Sequence, residues 1–274
     1  MLYLVSTPIG HLGDISYRAV ETLKNSDYIL CENPLHSSRL LKFYQISSPL
    51  YPYHKFNETK HLDKILKDLQ EDKKISLISD AGTPGLCDPG EILIKRCIEE
   101  QIPFSLVPGP CALLQGLILS GFSHLPFQFL GFLPKKDKEL REIIEKNSNY
   151  KGLSIYYETP HRLLKTLTTL CEISPSIRLA VARELTKIHE ECIRGSAEEC
   201  LDHFKNHPPK GEIVLIIEQQ NDCYWQNLSL DEHFDLHLRK SSLTNTEIFK
   251  EMAKERKISK RVIYNYFLTK KPNT

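Results

Sequence analysis

The stretch Ile75-Ser-Leu-Ile-Ser-Asp-Ala-Gly-Thr-Pro-Gly-Leu-Cys-Asp-Pro-Gly90 decides how this chain is read: a short apolar run stops at Asp80 and gives way to glycines and prolines. Ile75, Leu77 and Ile78 have the continuous apolar character of a strand buried on both faces, as in parallel sheets. Behind it, Gly82, Gly85 and Gly90 let the backbone approach a ligand closely, while Pro84 and Pro89 fix φ and stiffen the loop. The alternative is a plain strand-to-helix connection, but such connections take only a few residues.

Outward from this loop, strand and helix patterns alternate. Leu2 to Val5 reads as a strand, followed by the turn Thr7-Pro-Ile-Gly10 and a helix with Ile15, Ala19, Val20 and Leu23 on one face behind Asp14 as N-cap. Tyr28 to Cys31 is a strand, Leu40, Leu41 and Tyr44 mark a short helix behind Ser37, and Leu62, Ile65, Leu66 and Leu69 form an i, i+3, i+4, i+7 stripe. After Gly90 come a helix through Leu93 and Cys97, the strand Phe104 to Val107, and an apolar helix through Leu117. This order predicts a parallel sheet covered by helices on both faces, with ligands beyond the carboxyl ends of its strands. Thr7-Pro-Ile-Gly10, Thr83-Pro-Gly85 and Val107-Pro-Gly-Pro110 punctuate three such ends and converge, on this reading, on one pocket.

A second α/β unit begins beyond Ser120-Gly121. Its strands are Phe127 to Gly131, Leu153 to Tyr157, Leu179 to Ala182, the segment at Cys192 and Ile193, and Ile213 to Ile217. The third segment is helical: Thr244-Asn-Thr-Glu247 is a capping box, and a very short turn at Lys257-Ile258 joins two helices in a helix-turn-helix pattern. The domains so read are 1–118, 119–222 and 229–274.

With 274 residues, 41% hydrophobic and 26% charged, collagen-like, disordered and disulfide-scaffold classes are excluded. No apolar run approaches the ~20 residues of a membrane span, and Met1 leads straight into a strand with no basic, cleavable leader, so a cytoplasmic protein is expected. The eight cysteines, Cys223 among them, have no close pair and read as reduced and mostly buried. His203/His207 and His233/His237 have helical spacing but no cysteine partners, so they read as solvated helix faces and no metal is expected. From Arg239 onward ten Lys/Arg face three Glu, a net +7 beside −6 for the rest, which points to a polyanionic partner or to a solvated helical face.

The central loop lacks the Gly-Lys-Ser/Thr of a P-loop and the glycine spacing of a dinucleotide fingerprint, so phosphate is not its obvious ligand. A backbone-lined apolar pocket suits an adenosine-bearing cofactor whose charge sits on an amino acid or a sulfonium. The residues alone reach a cofactor pocket on a parallel sheet and go no further.

Beyond that point the motifs carry a resemblance. Tyr3 to Asp14, Ser79 to Gly90, Val107-Pro-Gly-Pro110, Gly131-Phe-Leu-Pro-Lys135, Tyr157-Glu-Thr-Pro-His-Arg162, Ala182 to Glu190 and Gly211-Glu-Ile-Val214 resemble, in order and along nearly the whole chain, the small-subunit ribosomal RNA methyltransferases of the tetrapyrrole methylase superfamily. The resemblance implies a two-domain tetrapyrrole methylase-like, class III methyltransferase fold with a small C-terminal helical unit. It also implies S-adenosylmethionine as cofactor, a homodimer, and small-subunit ribosomal RNA as partner, methylated on a cytidine ribose 2′-hydroxyl. Cofactor contacts are then expected from Pro8, Asp80, Ala81, Gly82, Thr83, Pro108, Gly109, Cys111, Ala112, Tyr157, Arg183 and Gly211. Activation of a hydroxyl calls for a base, for which Glu158, His54, His161 and Lys187 are candidates. His11 stands where the family commonly has Asn, and Glu32-Asn-Pro-Leu-His36 departs from Glu-Asp-Thr-Arg-His. A small-molecule methyltransferase, or a ligand-sensing nucleic-acid-binding regulator, are the competing readings.

Overall fold

In a computed structural model, residues 1–123, 125–147, 150–218, 228–240, 243–256 and 258–269 are described; Cys223 and, in the basic segment, Lys257, Lys270 and Lys271 lie outside them. The chain divides into two units, Met1–Gln219 and Gln220–Thr274.

In the first unit, β1 (Leu2–Val5), β2 (Tyr28–Cys31), β3 (Leu50–Pro52), β4 (Ile75–Ile78) and β5 (Phe104–Val107) form an all-parallel sheet in the order β3-β2-β4-β1-β5. Side chains alternate across it. Leu2, Leu4 and Leu77 pack against Leu62, Ile65 and Leu66 of α3 (Glu58–Gln70) and Leu93 of α4 (Glu91–Glu99). Val5, Ile29 and Ile78 face Ala19 and Leu23 of α1 (Tyr17–Lys24) and Leu40 and Leu41 of α2 (Pro34–Phe43). Ser16, not Asp14, caps α1, because His11 Nδ1 accepts from Gly13 N–H and draws Leu12–Asp14 into a 3-10 turn. Helix α2 starts at Pro34 rather than behind Ser37: Asn33 caps it by accepting from the Leu35 and His36 amides.

The second sheet has the order β6-β7-β10-β8-β9, from β6 (Phe127–Phe132), β7 (Leu153–Glu158), β8 (Arg178–Arg183), β9 (Glu191–Ser196) and β10 (Ile213–Glu218). Only β6 and β7 pair in parallel. No helix separates β8 from β9, so that pair closes as an antiparallel hairpin. Helices α6 (Asp137–Asn147), α7 (Pro160–Ile173) and α8 (Ala197–Asn206) cover one face. Helix α5 (Ala112–Ser120) lies on the other, where Leu117 joins Ile155, Ala180 and Val214. A Cβ on Gly116 would stand 2.8 Å from Val214 Cγ1, so this glycine lets helix and sheet meet. The 118/119 boundary read from the sequence therefore falls inside α5, a helix that belongs with the second sheet.

The C-terminal unit holds α9 (Leu230–Lys240), α10 (Asn245–Glu255) and α11 (Lys260–Thr269). Ile248, Met252, Ala253 and Ile263 form its own core with Phe234, Phe249 and Phe267 against them. The Thr244–Glu247 capping box is present. His233 is fully buried rather than solvated, because it is knitted into the core edge: Arg256 Nε–H donates to its Nδ1 (3.0 Å), and its Nε2 meets Glu255 Oε2 (2.8 Å), which His237 Nε2 also reaches (2.9 Å). His233, His237 and Glu255 are close enough to hold a metal ion, but the guanidinium makes Nδ1 the acceptor and leaves the proton on Nε2, where a metal would bind. Among the described residues, no helix is long and apolar enough to cross a membrane.

Candidate active site

The loops after β1, β4 and β5 are tied into one surface. Thr7 N–H donates to Gly82 O (2.9 Å) and Gly82 N–H to Thr7 O (3.1 Å), while Ser6 N–H donates to Val107 O (3.2 Å). Ser6 Oγ lies 3.0 Å from Thr83 Oγ1, and a Cβ on Gly109 would stand 2.9 Å from Ser6 Cβ. The loop between β8 and β9 reaches the same place, where His11 N–H donates to Thr186 Oγ1 (3.0 Å). Glu184 and Thr186 hold left-handed φ values of 50° and 64°, backbone strain of the kind that gathers at functional sites.

Two cavities open here. The first, about 340 Å³, is lined by Ala81, Gly82 and Thr83 after β4, Cys111 and Ala112 at the start of α5, Tyr157 and Glu158 at the end of β7, and Gly211 and Glu212 ahead of β10. Leu86, Phe132 and Ile213 supply apolar walls suited to an aromatic ring. Three carboxylates, Asp88, Glu158 and Glu212, line it, and among the described residues no Lys, Arg or His does. Such a lining repels phosphate and favours a positively charged ligand. S-adenosylmethionine, with its adenine, sulfonium and ammonium, fits this donor set.

Glu158 and Glu212 have ion-pair partners, Arg162 at 3.6 Å and Lys187 at 3.1 Å, whereas Asp88 makes no ion pair among the described residues. Burial pushes its pKa up to about 6, reinforced by Glu32 and Asp80 and eased by a hydrogen bond from Ser79 and by Lys55. A carboxyl protonated below pH 6 attracts a cation only once it ionises. Cofactor affinity should therefore rise about tenfold between pH 5 and pH 7, by proton linkage. Calorimetry across that range checks this, and Asp88→Asn should flatten the profile.

The second cavity, about 380 Å³, adjoins the first and shares Ile9, Ala81 and Glu212 with it. Of the cofactor contacts expected from sequence, Ala81, Gly82, Thr83, Cys111, Ala112, Tyr157 and Gly211 line the first cavity, and Pro8 and Asp80 line the second. Pro108, Gly109 and Arg183 line neither; Gly109 is a spacer against Ser6, and Arg183 Nε is bound to Glu191 (2.5 Å). Asp88, Glu212 and Phe132 line the first cavity without having been expected there from sequence, although Asp88 lies in the Ile75–Gly90 stretch.

Of the candidate bases, His54 and His161 line neither cavity. Lys187 lines the second but lies between Glu184 (2.8 Å) and Glu212 (3.1 Å). Burial works against its charge, yet these partners hold its pKa above the ordinary value, so it stays protonated. Glu158 is almost fully buried, and both its oxygens are engaged: Oε1 accepts from Thr159 N–H (2.8 Å) and Oε2 from Thr166 Oγ1 (2.7 Å). Arg162, beside it, donates to the Leu133 and Pro134 carbonyls at 2.9 and 2.6 Å. This is the geometry of a positioning group. Glu158→Gln should leave one donor unpaired and cost about 1–3 kcal/mol, lowering Tm by several degrees while single-turnover methyl transfer stays within about fivefold. A hundredfold slower transfer at unchanged Tm would contradict this.

The departures from the family pattern have structural accounts. The imidazole of His11 does the capping that an Asn carbonyl would do, and Asn33 caps α2 while its N–H donates to Asp80 Oδ1 (3.2 Å).

Comparison with known proteins agrees with this geometry. Residues 1–201 match the family model for tetrapyrrole (corrin/porphyrin) methylases, which makes this a methyltransferase of that fold. Among solved structures, uroporphyrin-III-C-methyltransferase from Thermus thermophilus is similar with a TM-score of 0.55 at 17% identity, covering 80% of this chain and 94% of that one. Cobalt precorrin-4 methyltransferase gives a TM-score of 0.60 at 13% identity, covering 79% and 93%. A protein of Halalkalibacterium halodurans named ribosomal RNA small subunit methyltransferase I is 37% identical over 272 residues, 97% of this chain and 94% of its own length. A protein of that name from Hydrogenobaculum is 42% identical over 231 residues, 83% of this chain and 99% of its own, so roughly a sixth of this chain has no counterpart there. The chain belongs to the ribosomal RNA small subunit methyltransferase I family.

Proposed function

We propose that this protein transfers the methyl group of S-adenosylmethionine to the ribose 2′-hydroxyl of a cytidine in small-subunit ribosomal RNA, and that it does so as a homodimer. The observation that carries the reading is the first cavity, lined by carboxylates and, among the described residues, by no cationic side chain, and opening beside a second, charged cavity. The names of its relatives supply the substrate class. When bound, the cofactor supplies an electrophilic methyl group on a sulfonium. The chain's task is then to hold that charge near Asp88, to shield the site with Leu86, Phe132 and Ile213, and to place an acceptor oxygen in line, which supplies much of the acceleration. Phe104 and Leu106 on edge strand β5, with Leu114 and Ile118 one turn apart on α5, expose apolar surface that a second copy would cover.

Incubating the protein with radiolabelled S-adenosylmethionine and small ribosomal subunits, then mapping label with nucleases, tests the reaction. Label in the RNA is expected. Label only in small molecules would favour a metabolite methylase, and no transfer would favour a ligand-sensing binder.

A further inference from the structure

The second cavity has a lining unlike the first. On α2, His36, Arg39 and Leu40 occur at i, i+3 and i+4 and so share a face. Neither the His36 nor the Arg39 side chain makes an ion pair or hydrogen bond among the described residues, whereas Lys187, which also lines the cavity, is held by Glu184 and Glu212. Asp80 stands where β4 ends, next to Ala81, which both cavities share. Its Oδ1 accepts from Asn33 N–H (3.2 Å), and its other oxygen accepts no hydrogen bond among the described residues. Ser37, 2% exposed, also lines the cavity; among the described residues its hydroxyl meets the weakly bonding thiol of Cys31 and has no oxygen or nitrogen partner.

A free guanidinium beside an unpaired imidazole, a carboxylate with a spare oxygen, an unsatisfied buried hydroxyl and an apolar wall describe a ligand with an anionic end, a hydroxyl and a ring. A nucleotide extruded from its strand has these parts, and chemistry on a nucleotide commonly requires that extrusion. We propose that the second cavity is the pocket for the acceptor nucleotide, with Arg39 and His36 taking its phosphate and Asp80 accepting the proton of the ribose hydroxyl that is methylated. This rests on the reaction proposed above. In that step the O–H proton passes to the Asp80 carboxylate and the oxygen's electron pair forms the bond to the methyl carbon. The pair of the breaking carbon–sulfur bond stays on sulfur, leaving a neutral thioether.

Two variants test it against small ribosomal subunits. Asp80→Asn keeps a carbonyl oxygen for Asn33 N–H, so the fold should stand, with cofactor affinity by calorimetry and subunit affinity both within threefold of wild type. Its single-turnover transfer should fall by about 10²–10⁴-fold, the usual contribution of a positioned base. Arg39→Glu should leave cofactor affinity unchanged and weaken subunit binding at least tenfold, with a log affinity–log salt slope shallower by roughly 0.7–0.9. Transfer by Asp80→Asn within fivefold of wild type, or a loss of cofactor affinity in its place, would overturn the assignment of Asp80. Unchanged subunit binding by Arg39→Glu would overturn the phosphate site. If wild type labels no RNA while Arg39→Glu still weakens subunit binding, the pocket stands and the reaction is misread.

Discussion

Replacing Gly82 by Val is expected to weaken S-adenosylmethionine binding at least a hundredfold while leaving a folded protein. Gly82 holds a φ of 77°, a left-handed value that a β-branched residue adopts only under strain. The loop has no easy escape, because the amide and carbonyl of Gly82 are both bonded to Thr7, at 3.1 and 2.9 Å. An added Cβ would meet nothing closer than Ile9 Cγ2 at 3.4 Å, so the harm comes from the backbone and from the cavity that Gly82 lines, not from core overpacking. A hundredfold loss corresponds to about 2.7 kcal/mol. The strain, about 1–3 kcal/mol, should lower Tm by several degrees. Titration calorimetry on the folded variant decides the matter: affinity within threefold of wild type would remove the loop from the cofactor site.

The second large effect concerns the basic helical unit. Four of its six acids are committed internally: Asp231 accepts from Tyr266 Oη–H (2.7 Å), Glu232 is bonded to Ser229, Glu247 closes the α10 capping box, and Glu255 meets His233 and His237. Lys250, Lys254, Lys260 and Arg261 are left exposed, together with Tyr264. Tyr264, half-exposed and edge-on to Phe249 (6.3 Å), can offer its outer face to a base, whereas Phe267 stacks on Phe249 (5.0 Å) and Tyr266 is bound to Asp231. Removal of residues from Ser229 onward should leave cofactor affinity intact, weaken small-subunit binding at least tenfold, and flatten the salt dependence of binding by roughly three units, about 0.7–0.9 for each of four phosphate contacts. If the truncated protein keeps the full-length salt slope, the cations merely solvate the surface.

The ligand loops were legible because glycine and proline punctuate strand ends for reasons local to the backbone. The parallel sheet followed from the alternation of strand and helix patterns. Strand β3 was not legible: Leu50-Tyr-Pro52 is short, half-exposed and ends in proline. The antiparallel half of the second sheet was hidden because the charged run Arg183 to Glu190 gave no sign that it was a hairpin connection. Helix α5 carries leucine or isoleucine on both its exposed face, at Leu114 and Ile118, and its buried one, at Leu117, so periodicity could not tell which sheet it covers. At the site, sequence placed Pro8 and Asp80 with the cofactor loops, and only the partition of space into two cavities separates them. Asp88 escaped notice because a carboxylate between Cys87 and Pro89 has no sequence signal until burial reveals it.

The most direct test is chemical. Small ribosomal subunits lacking the modification, methylated in a single turnover with labelled S-adenosylmethionine and digested completely to nucleosides, should yield label in one nucleoside, 2′-O-methylcytidine. Label on a nucleobase, or none in the RNA, would contradict the account.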